Sequence, residues 1–269
     1  MLLLGAGPRA LLLQIAHPLV AEGVADHSDF QADPWSRLAG TLRSYLRIVY
    51  GTADAARGEI RRLNQLHREV TGARYQARDP DLSLWVHATL VDSTIAVYEA
   101  WIEPLSADRR ARYYEETIPV GRAFGIPPDL LPADIDAFEA YLGRMLAPGG
   151  PIVVSDTARE LAGTILRPPL GPAARPWLGD LAARLDAIPA AAYEWLMWPA
   201  IGLLPSTVRE GYGLRWGLRE RIVTAWLVAT WRAWRPILPA TFRQMPQALA
   251  ADRRIGALSA ARDVDRLAG

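Results

Sequence analysis

Apolar residues recur at three- and four-residue spacing along almost the whole chain, and runs that alternate apolar with polar are nearly absent. That period belongs to amphipathic helices and leaves little material for a sheet. It predicts helices over residues 8–25, 34–50, 53–71, 82–102, 107–124, 133–146, 157–165, 177–187, 190–198, 214–234 and 239–243. Cap signals agree: Asp33 precedes Pro34, Asp79 precedes Pro80, and Ser106 precedes Ala107. Two breaks interrupt the pattern. One is Pro148-Gly149-Gly150-Pro151 with the short extended candidate Ile152-Val153-Val154, and the other is the arginine–proline stretch 167–176. Neither is long enough to demand a second domain. The expected fold is all-α, a single helical-bundle domain over residues 1–269.

Composition narrows what such a bundle does. At 51% hydrophobic over 269 residues there is ample core material, and a formal net charge of +1 argues against nucleic acid as the main partner. The chain has no Cys, which excludes disulfides, thiolate metal sites and Cys nucleophiles. All 30 basic residues are Arg, so Schiff-base and P-loop lysine chemistry are excluded too. The apolar N-terminus lacks the charge and cleavage pattern of a signal peptide. The longest apolar stretch, 190–205, carries Glu194 and two prolines, so no transmembrane segment is expected. The sequence reads as soluble and cytoplasmic, with peripheral membrane contact through its Trp/Arg-rich second half and homodimerisation both left open.

Four histidines, His17, His27, His67 and His87, are the neutral-pH proton carriers and the best metal ligands present. No pair has the spacing of a zinc helix. His67 shares a predicted helix face with Ile60, Leu63 and Val70. An imidazole there either satisfies its nitrogens within the fold or binds something. His87 lies in a helix apolar on most sides, with Asp92 too far round to be its partner. His17 precedes a proline within a helical run, and His27 sits in the turn-like Asp26-His27-Ser28-Asp29. Arg37 and Thr41, at i and i+4, present a fixed cation and a hydroxyl on one face, a pair able to stabilise a developing anion. Gly5-Ala6-Gly7-Pro8 lacks the third glycine and preceding strand of a dinucleotide fingerprint. Trp195, Trp198, Trp216, Trp226, Trp231 and Trp234 are expected to fill core, with a flat apolar pocket, a dimer interface or a membrane surface as alternatives.

Four segments together carry a resemblance. They are Leu11-Leu12-Leu13-Gln14-Ile15-Ala16-His17-Pro18, Gly23-Val24-Ala25-Asp26-His27-Ser28-Asp29-Phe30, Leu84-Trp85-Val86-His87-Ala88-Thr89-Leu90-Val91-Asp92-Ser93 and Arg209-Glu210-Gly211-Tyr212-Gly213-Leu214-Arg215-Trp216. They resemble the MpaB-type oxygenases, whose best-understood relatives are the rubber oxygenases or latex-clearing proteins. The resemblance spans about residues 2–246 and places the usual family start slightly upstream of the first residue. It implies a globin-like core around haem b, with His67 as the iron ligand and His87 as the alternative. It also implies a distal side formed by Arg37 and Thr41. Gly40 stands where that branch carries a lysine just before the threonine, so a distal lysine ligand is ruled out. The implied function is a haem b-dependent oxygenase or peroxidase acting on an apolar small molecule. A haem-free helical protein that binds an apolar ligand or a protein partner is the alternative.

Overall fold

The computed structural model describes residues 2–27, 34–167 and 190–268. The helices are α1 (Leu2–Ile15), α2 (Pro18–His27), α3 (Pro34–Tyr50), α4 (Ala53–Leu66), α5 (Pro80–Trp101), α6 (Ala107–Ala123), α7 (Ile135–Leu146) and α8 (Asp156–Leu166). They continue as α9 (Ala190–Gly202), α10 (Ser206–Gly211), α11 (Leu218–Trp234), a 3-10 turn (Arg235–Ile237), α12 (Ala240–Arg243) and α13 (Pro246–Ala268). Among the described residues the sole β pairing is one antiparallel bridge between Thr71 and Gln76. The fold is all-α.

The α5 helix is the central post. It buries Leu84, Trp85, Ala88, Val91 and Val97 on several sides, as its nearly unbroken apolar sequence requires. Asp79 starts it by accepting from the Asp81 and Leu82 amides, and Ser106 does the same for α6 through Arg109 N. The α1 helix lies along α5, and Gly5 makes this possible: a Cβ there would stand 3.0 Å from Val97 Cγ1. Around this pair, residues of α6, α7, α8 and α10 complete the main core.

Several of the expected boundaries are corrected, the first helix starting at Leu2, α9 running on to Gly202 and α11 starting at Leu218. The expected helix 8–25 divides at His17-Pro18, because Pro18 has no N–H to bond the preceding turn and instead opens α2. Side chains serve the carbonyls this end exposes: Trp85 Nε1 donates to Leu13 O at 3.2 Å, and the Tyr212 hydroxyl donates to Leu12 O at 2.7 Å. The expected helix 53–71 stops at Leu66. His67 caps it, and tight bonds from Arg68 N to Gln65 O and from Glu69 N to Leu66 O lead into the Thr71–Gln76 turn. Gly72 fixes that turn, since a Cβ would stand 2.4 Å from the Tyr75 ring. Residues 152–154 lie in a loop, as the break in the pattern implies, and take part in no β pairing among the described residues. Val154 is buried, and a Cβ at Gly211 would approach its side chain to 2.8 Å. The helix expected at 177–187, the cap at Asp33 and the break from residue 168 onward lie outside the described residues, and periodicity predicts neither α10 nor α13.

Candidate functional site

The α3 and α4 helices form an antiparallel hairpin turned through Gly51 and Thr52. This places the start of α3 beside the end of α4. Arg37 and Thr41 lie in the first turns of α3, and His67 caps α4. The hairpin therefore brings Arg37 close enough for its charge to act on His67. Burial lowers the His67 pKa most, and the positive charges of Arg37 and Arg78 lower it further. The ring makes no hydrogen bond among the described residues and is half-buried. It thus stays neutral near pH 7, with a nitrogen lone pair uncommitted to the protein. Because the helix ends at Leu66, His67 does not share a helix face with Val70. It stands in the cap, where the ring can turn towards α3.

Arg37 and Thr41 are exposed, and a Cβ added to Gly40 would meet nothing within 4 Å among the described residues. Below this surface, a buried polar cluster holds the hairpin together. The Ser44 hydroxyl donates to Glu59 Oε1 at 2.7 Å. Arg62 bonds the same carboxylate and donates to Ser44 Oγ at 3.1 Å, while Arg47 lies 3.6 Å from Glu59 Oε2. Hydrogen bonds from Arg62 and Ser44 hold the Glu59 carboxyl below its ordinary range despite its burial. Sequence reasoning missed this cluster. The available signal was Glu59 itself, an acid two turns before His67 on the side of α4 that faces α3.

The other histidines divide by environment. His87 is 8% exposed, and its Nε2 has no hydrogen-bond partner. Burial lowers its pKa to about 4. A Cβ on Gly121 would sit 3.3 Å from that nitrogen, so the α6 backbone closes over the ring. A flat macrocycle on His87 would have to part α5 from α6, which makes it the poorer candidate ligand. His17 leaves Nδ1 buried and unbonded; burial lowers its pKa, and the nearby Asp79 charge works against this. His27 pairs with backbone rather than a carboxylate, its Nε2 lying 3.0 Å from Thr71 O. Asp26 accepts from the Tyr75 hydroxyl at 2.8 Å instead.

The tryptophans do not form one pocket. Trp198 is buried with Met197 and Ile201, Trp216 packs on that group, and Trp195 lies 6.0 Å from Trp198 between ring centroids. Trp226 and Trp234 face solvent. Among the described residues no cluster of three or more His, Asp or Glu is arranged to hold a metal ion. No described helix is long and apolar enough to cross a membrane.

Comparison with known proteins gives a consistent picture. The family described as ER-bound oxygenase mpaB/B'/Rubber oxygenase, catalytic domain, matches residues 1–233. An uncharacterized protein of Mycobacterium tuberculosis is 25% identical over 239 residues, covering 85% of this chain and 87% of the relative. An uncharacterized protein of Mycobacterium bovis matches with the same identity and coverage. No solved structure matches.

Proposed function

This chain belongs to the ER-bound oxygenase mpaB/B'/rubber oxygenase catalytic-domain family, and from that premise we propose that it is a haem b-dependent oxygenase or peroxidase acting on an apolar small molecule. The observation that carries the haem assignment is His67: a half-buried, neutral imidazole with no hydrogen bond among the described residues, flanked by two arginine charges. Iron needs such a lone pair, and haem propionates need such cations. The residues present therefore fit the group.

In this reading His67 would hold the iron, and Arg78 would be available to a propionate. When bound, the haem supplies the activation of dioxygen or peroxide. The protein's own part is positional and electrostatic. The guanidinium of Arg37 lends fixed positive charge rather than acid catalysis. Thr41, one turn on, offers a hydroxyl that both donates and accepts, and so orients a polar group facing α3. The Ser44–Glu59–Arg62 cluster keeps α3 and α4 in register, which fixes Arg37 relative to His67. The apolar character of the substrate rests on the family.

The test is an absorption spectrum of protein purified with haem supplied. A Soret band that is lost in His67→Ala and kept in His87→Leu supports the assignment. A colourless wild type, or a band unchanged in His67→Ala, overturns it.

A further inference from the structure

We propose that the outward face of α11 is a docking surface for an anionic lipid membrane. One side of α11 packs inward on α9 and α5, with Val223 set against the Met197–Trp198–Ile201 group. At 100° per residue the opposite side is a separate apolar stripe. Leu218, Ile222 and Trp226 follow one another at four-residue spacing and are 74%, 58% and 65% exposed. Ala225, Ala229 and Ala233 lie between and beyond them, also exposed and too small to shield them. Ile237 in the following 3-10 turn extends the exposed apolar surface.

Charge identifies the occupant. Helical spacing sets Arg219 along one edge of the stripe and Arg221 and Arg232 along the other. From residue 215 to 243 there are six arginines and a single acid, Glu220, although the whole chain carries only +1. Glu220 is turned back to accept from Gly217 N at 2.8 Å. Among the described residues Arg215, Arg219, Arg221, Arg232 and Arg235 form no salt bridge. Two are held beside the stripe by other contacts. Arg219 lies 5.6 Å from the Trp198 ring centroid, and Arg232 donates to Glu99 O at 2.7 Å.

An apolar stripe edged on both sides by arginines that form no salt bridge among the described residues suits a lipid interface. Leu, Ile and Trp sink below the headgroups, and the guanidiniums reach lipid phosphates. A second copy of this chain fits worse. A two-fold contact would lay arginine edges against identical edges, and like charges at close range oppose association. The inference stands independently of the haem reading.

The experiment is co-sedimentation of the full chain with vesicles of phosphatidylcholine and phosphatidylglycerol, against vesicles of phosphatidylcholine alone. Sedimentation equilibrium without lipid runs in parallel. The expected result is binding to the mixed vesicles that weakens with salt and is much weaker on the neutral ones. Arg219→Gln and Arg221→Gln should each weaken it about fivefold. Ile222→Ser with Trp226→Ser should abolish it while leaving the melting temperature unchanged, because both side chains already face water. Absent vesicle binding, binding indifferent to these substitutions, or a dimer that Trp226→Ser dissociates without any lipid affinity would each overturn the proposal.

Discussion

The Arg9 guanidinium donates to the Asp92 carboxylate at 2.7 Å and to the Ser93 hydroxyl at 2.8 Å, while its Nε reaches Leu203 O at 2.8 Å. Arg9 is 4% exposed, so one buried cation ties α1, α5 and the segment after α9 together. Removing one partner of such a pair leaves a charge without compensation, whereas removing both with apolar replacements does not. Asp92→Ala should therefore lose about 3 kcal/mol in urea unfolding. Arg9→Met with Asp92→Leu should recover most of that loss. A double variant as unstable as Asp92→Ala would show that the ion pair is not what holds these elements.

That contact also shows what the sequence motifs encode. Leu12 and Leu13 of the first motif receive bonds from Tyr212 of the fourth and Trp85 of the third, and Asp92 and Ser93 of the third receive Arg9. The segments that carried the family resemblance are thus largely the locks of the scaffold. Helix periods and most caps were legible because they are local. Arg9 was legible in principle, as the one charged residue among the apolar turns of α1, since a buried charge demands a partner. Its partner was not legible, because Asp92 lies 83 residues away. The same limit hid Arg78 from the surroundings of His67 and Ser44 from Glu59. These depend on how helices are laid together, which no period reports. The period places His67 on a helix face although it is a cap, because the breaking signal, Gly72, lies five residues downstream.

Gly202 ends α9 where a Cβ would stand 2.3 Å from the Trp216 ring. In an open helix, glycine to alanine gains up to about 1 kcal/mol from propensity. Here the overlap decides the sign, since a rigid indole has no flexible end to move aside. Gly202→Ala should destabilise by about 1–3 kcal/mol. Adding Trp216→Leu should reverse part of the loss, measured as the shift in urea midpoint. Stabilisation by Gly202→Ala alone would place Trp216 elsewhere.

His87 gives stability a defined pH dependence. Its folded pKa is lowered by burial from 6.5 to about 4, so the unfolded chain binds the proton more readily between those values. Stability from this group is complete above about pH 6.5. It falls as the pH drops toward 4 and changes no further below it. The loss across that window is up to about 3 kcal/mol. His87→Leu should flatten this part of the profile in urea unfolding at pH 7.0, 5.5 and 4.5, leaving a smaller slope to which His17 contributes in the same direction. An unchanged profile would mean that the imidazole is solvated.

The Arg37–His67 relation has its own electrostatic test in protein without haem. Burial, Arg37 and then Arg78 lower the His67 pKa, in that order of importance. Arg37→Gln removes a positive charge while keeping a polar side chain, so the imidazolium becomes easier to form and the pKa must rise. Burial remains, so it should not regain the ordinary value of 6.5. Arg78→Gln should raise it by a smaller amount, and the two together by more than either. With four histidines in the chain, the ring proton resonances can be assigned by single substitution and followed by NMR titration. The His87 resonance is an internal reference, because only burial shifts it. A His67 titration that ignores Arg37 would separate the start of α3 from the end of α4. It would take away the hairpin geometry on which the proposed distal roles of Arg37 and Thr41 depend, and it would do so whether or not the protein binds haem.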